Sequence, residues 1–307
     1  MPTYLMGEAI REMRIRSGYT QEELAFGVCT PGTLSRIENG KAVVSQQVFH
    51  ALTERIPGIH HVWVTCNTET EMRRSKLCKQ ILGCLEYRDV SGARDAHSSY
   101  CAIMEPGNPF CRQFALYSLA ICKVLEYGNM EEIICLLQEA LLQTRLQEED
   151  LYSRGKKQIL FTCDELLILV NLGIAYQKEK RFGQANQLMR YLKTYIEEHD
   201  LEMAETAKLY PFILYNYGWI LEDQGRLMEA EETCVTGIRH CYKTGKISWL
   251  PYLLCMQARC FAASGNLETA RKCRMQASVI FDMRGEICGY GSFQEFEKAR
   301  EPIYATY

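Results

Sequence analysis

The sequence predicts an all-α protein in two parts: a small head of four short helices and a long body of paired helices. Three observations carry this reading. Apolar residues recur at helical spacing almost throughout, and no segment alternates as a half-buried strand does. Helix start and stop signals crowd the first 60 residues. Beyond them, a pattern of small residues returns about every 40–45 residues, the mark of an internal repeat.

In the head, residues 6–17, "MGEAIREMRIRS", predict a first helix that ends at Gly18. Thr20 opens the second with a capping box, because "TQEE" places Thr20 at the N-cap and Glu23 three residues on. "FGVC" makes a tight break. The third helix then runs through "TPGTLSRIENGK", opening on an N-cap Thr30 and a first-turn Pro31 and closing at Asn39-Gly40. A fourth follows from about Ser45 to Arg55, with Val48, Leu52 and Ile56 on one stripe.

On a wheel of roughly 100° per residue, the third helix turns Leu34 and Ile37 inward, with Glu38 at the edge of that side. A carboxylate placed there needs a cation, and Arg14 on the first helix is the expected partner. Gly32, Ser35, Arg36 and Asn39 face outward, with Thr33 at the flank. This small, polar face around one arginine suits close approach to phosphates and base edges.

Composition limits the alternatives. Apolar residues are 47% of the 307, enough for real cores, and no apolar run reaches the roughly 20 residues of a membrane span. The N-terminus lacks the pattern of a signal peptide, so a cytoplasmic location is expected. Net charge is −3, which argues against a globally basic nucleic-acid coat; any DNA contact must come from a local surface. The 15 cysteines are scattered with no C-x-x-C and no zinc-finger spacing, and read as buried reduced thiols, not metal ligands. His60-His61 reads as part of a junction loop, and Glu148-Glu149-Asp150 as solvated surface. No phosphate loop, metal pair or nucleophile context appears, so neither an enzyme nor a cofactor is expected.

"TQEELA" followed by "TLSRIENGK" resembles the phage-repressor or XRE class of helix-turn-helix domains over residues 4–60. The segment between "ELA" and "TLSR" is one residue shorter than the commonest form of that class. The resemblance implies that the second helix crosses the DNA backbone and the third enters the major groove. It implies a phosphate contact from Gln21. It places Thr30, Pro31, Gly32, Thr33 and Ser35 at the leading end and face of the recognition helix, and Asn39 and Lys41 on the backbone beyond it. Arg36 is either a reader of guanine or a phosphate or intraprotein partner. The Arg14–Glu38 pair is structural.

In the body, "VNLGIAYQKEKRFGQANQLMRYL" from Val170 aligns with "YNYGWILEDQGRLMEAEETCVTGI" from Tyr215, and "MQARCFAASGNLETARKCRMQA" forms a third copy. Asn171 matches Asn216; Gly173 and Gly218 match Ala258; Ala185 and Ala230 match Ala270. Earlier segments around "LEYGNMEE" and "LEYRDVSGA" keep the rhythm. Small residues on facing helices let the two approach. This resembles tetratricopeptide (TPR) repeats, with Leu at the usual Trp position and no terminal Pro. The resemblance implies a right-handed TPR-like superhelix with a concave groove. Asn171, Asn216 and Met256 would face that groove, with Phe212 and Tyr252 a turn before, and Gln177, Lys178, Trp219 and Arg259 a turn after. The asparagines either clamp a peptide backbone or satisfy neighbouring helix ends. The tail "GSFQEFEKAREPIYATY", capped by Ser292, either seals the last repeat or meets a second subunit.

A head over residues 1–65 joined to a repeat body over 66–307 resembles the peptide-pheromone-responsive regulators of Gram-positive bacteria, of the Rgg and PlcR kind. That resemblance implies a homodimer on double-stranded promoter DNA with a short signalling peptide as ligand and no membrane partner. Two alternatives stay open: a DNA-binding regulator whose repeats hold a protein partner, and a repeat scaffold with a vestigial head.

Overall fold

The computed structural model describes residues 3–56, 69–145, 147, 151–152, 159–199, 203–284 and 293–299. Residues 57–75 are expected as a linker; from Glu69 on they are helical instead, the start of a helix that runs to Glu86, while His60-His61, the acidic run at 148–150 and the Ser292 cap lie outside the described residues. Among the described residues there is no strand, and no helix is long and apolar enough to cross a membrane.

The head contains α1 (Thr3–Arg16), α2 (Gln21–Ala25), α3 (Pro31–Glu38) and α4 (Gln46–Glu54). The expected caps form. Thr20 and Glu23 close a reciprocal capping box on α2, the Thr30 hydroxyl accepts from the Thr33 amide with Pro31 in the first turn, and Ser45 caps α4. Ile10, Leu24, Leu34, Ile37, Phe49 and Leu52 fill the head's core. α1 lies directly on α3: a Cβ on Gly7 would sit 1.9 Å from the Ile37 carbonyl oxygen, so only glycine fits there.

Among the described residues the body is a row of five antiparallel helix pairs. These are α5 (Glu69–Glu86) with α6 (Val90–Ile103), α7 (Pro109–Leu125) with α8 (Met130–Gln143), α9 (Cys163–Lys178) with α10 (Phe182–Glu198), α11 (Met203–Asp223) with α12 (Leu227–Thr244), and α13 (Leu250–Ala263) with α14 (Leu267–Arg284). A short α15 (Phe293–Ala299) follows. One turn is used five times. The first helix of each pair ends on a left-handed residue: Arg88, Tyr127, Lys180, Gly225 or Gly265. The next amide reaches back five residues, as in Asp89 to Cys84, Gly128 to Lys123, Arg181 to Tyr176, Arg226 to Leu221 and Asn266 to Phe261, each at 2.8 Å. This is the Schellman closure, which satisfies a carbonyl the helix end leaves open. Its recurrence is the backbone cause of the repeat.

The matched small residues do what close packing requires. Ala185, Ala230, Ala258 and Ala270 are buried, and a Cβ on Gly173 would press to 2.9 Å from the Met189 sulfur on α10. First helices also contact one another along the row, α9 with α11 and α11 with α13, giving a TPR-like superhelix around one continuous core. At its end Phe281 of α14 packs against Phe293 and Phe296 of α15, and Tyr252 of α13 against Phe296. The tail helix therefore seals the last repeat.

Candidate nucleic-acid interface and repeat groove

The head is organised around one carboxylate. Glu38, at the end of α3, is 3% exposed. It accepts from Arg14 Nε at 2.6 Å and Nη2 at 3.0 Å, and from Gln21 Nε2 at 2.7 Å. Arg14 Nη1 donates as well to the Tyr19 carbonyl at 2.8 Å. Three helices thus meet on one charge, and the buried pair is compensated as a buried ion must be. With Leu34, Ile37 and Glu38 turned inward, the other side of α3 is fixed toward solvent. Pro31, Gly32, Thr33, Arg36, Asn39 and Lys41 are exposed, as is Thr30; Ser35 is half-buried. Asn39 Nδ2 donates to the Ser35 carbonyl at 2.7 Å. Among the described residues, no hydrogen bond or ion pair engages the side chain of Arg36 or Lys41, so both cations face water. One N–H of the Gln21 amide is held by Glu38, and the same nitrogen carries a second N–H.

The body residues expected along a groove lie elsewhere. Asn171 and Asn216 are buried, and their amides donate to carbonyls one turn back, Leu167 at 2.8 Å and Phe212 at 3.1 Å. Asn171 also donates to the Tyr117 hydroxyl at 3.4 Å, from the previous first helix. Phe212, Tyr252, Trp219 and Met256 are buried too. The physical reason is that α9, α11 and the first half of α13 are covered on every side: the apolar residues run continuously there instead of forming one stripe. Asn171, Asn216, Phe212, Trp219 and Tyr252 therefore lie in the core, whereas Met256, with Arg259, borders a cleft of about 160 Å³.

The polar positions at the helix ends tie successive repeats together. Gln177 Nε2 donates to Asp223, and Gln224 Nε2 donates back to the Gln177 oxygen at 2.7 Å. Arg259 pairs with Glu222 at 2.6 Å. Lys178 Nζ stands 5.2 Å from the centre of the Trp219 ring, within cation–π reach. Among the described residues, no group of His, Cys, Asp or Glu is placed to hold a metal.

A second junction was invisible to local reasoning. Arg55, at the end of α4, pairs with Glu165 in the first turn of α9 at 3.1 Å, with both side chains 2% exposed. Arg55 also donates to the carbonyls of Leu24 and Phe26. Glu165 further accepts from the Thr144 hydroxyl at 2.6 Å and the Thr162 amide at 2.8 Å. Gly27, at φ +70°, lies so near α8's end that a Cβ would be 2.1 Å from the Thr144 carbonyl oxygen. Leu160 completes the head's core from the body's side of the chain. The one available signal was "TCDE" at 162–165, a capping box whose acid has more to bind than its own cap.

A helix-turn-helix family model (HTH_3) matches residues 10–63. No curated protein matches the chain in sequence. Among solved structures, the chain is similar to Bacillus thuringiensis PlcR in complex with the peptide PapR7 and DNA, at 18% identity and TM-score 0.62, covering 97% of this chain and 99% of that one. The apo form of the same protein gives 17% identity and TM-score 0.58, covering 97% and 98%. At this identity the likeness is one of fold. Head and fold together place a helix-turn-helix domain on a body of TPR-like repeats.

Proposed function

We propose that this protein is a sequence-specific regulator whose repeat body senses a short peptide and thereby controls a homodimer on promoter DNA in the cytoplasm, with residues 1–65 as the DNA-binding unit and 66–307 as the sensing and dimerisation unit. The observation that carries the DNA half is the exposed polar side of α3, held outward by the buried Glu38 cluster. Arg36 is the base reader; Thr30, Pro31, Gly32, Thr33 and Ser35 let the helix approach the groove; Asn39 and Lys41 meet phosphates. Gln21 joins them through the second N–H of its amide.

The peptide half is supported by the PlcR structure, which carries a peptide and DNA. Lys178 and Arg259 are the first side chains a ligand would meet, with the buried Gln177 behind them, and it would exchange their inter-repeat bonds for its own. Asn171, Asn216, Phe212, Trp219 and Tyr252 become available as the repeats separate. A peptide that binds the opened array better than the closed one shifts the population by that difference in affinity and no more. Two heads must reach major grooves about 34–36 Å apart, so a change in body curvature alters DNA binding.

The test is titration of the full chain with short peptides encoded beside its gene, read by calorimetry and by duplex affinity. Saturable binding that changes duplex affinity supports the proposal; no binding, with retained DNA affinity, refutes the peptide half. A protein partner on the repeats is the second reading, favoured by the internal satisfaction of the groove residues.

A further inference from the structure

Head and body enclose a cleft of about 250 Å³, lined from both parts of the chain. α4 supplies Gln47 and Glu54; the body supplies Arg74 of α5, Tyr100 of α6, Phe110 of α7 and Asp164 of α9. Arg74 is the unusual member. Its side chain is 9% exposed, yet its acceptors are few. Nη1 donates to Glu105 at 3.3 Å and to the weakly accepting Cys111 sulfur at 3.6 Å. Its buried Nε has no partner. A guanidinium withdrawn from water with one carboxylate and one thiol as acceptors is left partly unsatisfied, which is costly, and a second carboxylate, with two oxygens matching the planar fork, is the group that best relieves it.

We propose that this cleft is a binding site for a small zwitterion of the free amino acid class, with the ligand carboxylate on Arg74. A simple anion fits poorly, because Glu54, Glu71 and Asp164 also line the cleft. Glu54 is already engaged with His50 at 3.0 Å and the Cys163 amide at 3.1 Å. Asp164 accepts no hydrogen bond among the described residues, has the His50 ring as its electrostatic neighbour in the cleft, and is the partner for the ligand's ammonium. Tyr100 and Phe110 give the side chain an apolar wall. The size agrees: a cavity of roughly 150 Å³ holds benzene, and drug-sized ligands take about 300–1,000 Å³. Because α4 forms one wall, the occupied cleft exists only with the head docked. The ligand therefore stabilises docking through mass action, whether or not the repeats bind a peptide.

The experiment is a thermal-shift and calorimetric screen of the full chain against the twenty free L-amino acids. The best binder is then compared with its N-acetyl and methyl ester forms and against Arg74→Met and Asp164→Asn. Saturable binding by at least one amino acid is expected, weakened tenfold or more by each blocked form and by each substitution. Should Arg74→Met fail to fold, Asp164→Asn and the blocked forms decide. The proposal is overturned if no free amino acid binds at 10 mM, or if binding survives both blocked forms and Asp164→Asn unchanged.

Discussion

Replacing Arg55 by methionine should destabilise the folded chain by about 3–5 kcal/mol, the cost of leaving one member of a buried ion pair without its partner. Glu165 would keep the Thr144 hydroxyl and the Thr162 amide, so it would stay anchored and buried with no cation at 3.1 Å. The Leu24 and Phe26 carbonyls would lose their donor as well. At about 2 °C per kcal/mol for a chain of this size, the midpoint of thermal unfolding should fall by roughly 6–10 °C. Adding Glu165→Gln removes the stranded charge, and glutamine still serves a capping box. The double variant should therefore melt above Arg55→Met alone, with a coupling of about 2–3 kcal/mol. The assay is circular dichroism melting of wild type, both single variants and the double variant. If the two single effects simply add, the pair is not what joins head to body.

Three further outcomes follow from the same geometry. Lys180 holds φ +59° where the next two repeats have Gly225 and Gly265, so Lys180→Gly should stabilise by about 1 kcal/mol, read from the urea midpoint. Gly27→Ala places a Cβ 2.1 Å from the Thr144 oxygen at φ +70°; it should lower the melting midpoint by more than the roughly 1–2 kcal/mol of left-handed strain alone and speed proteolysis between head and body. Burial pushes the Cys122 and Cys241 thiols from 9.0 to about 11 and Cys78 to about 12. A raised thiol value means the folded state keeps protons the unfolded chain releases. Stability should accordingly fall as pH rises from about 9 towards 11–12. Urea midpoints across that range check it, and a flat profile contradicts it.

The sequence made local structure legible wherever a single turn decides it. Thr20 with Glu23, Thr30 with Pro31, and the Lys180, Gly225 and Gly265 turns follow from rules that reach no more than six residues. The Arg14–Glu38 pair spans 24 residues and was found because an acid at the edge of an apolar face demands a cation. Burial of the repeat helices was not legible. Asn171 and Asn216 sit in helices that neighbours cover on all sides, and an apolar run without a stripe does not reveal which side stays open. Arg55 and Glu165 lie 110 residues apart, and neither is anomalous in its own helix until the other is placed beside it. The candidate DNA face was readable because an exposed face is set by its own helix; the groove was not, because a groove belongs to several.

The most direct test of the account is the affinity of wild type and Arg36→Ala for the best duplex recovered from a random library, across a range of salt. α3 presenting Arg36 to a base edge predicts a loss of about 1–3 kcal/mol, with relaxed preference at one position and an unchanged salt slope. Equal affinity of the two proteins for that duplex, or no salt-dependent binding by either, would contradict it.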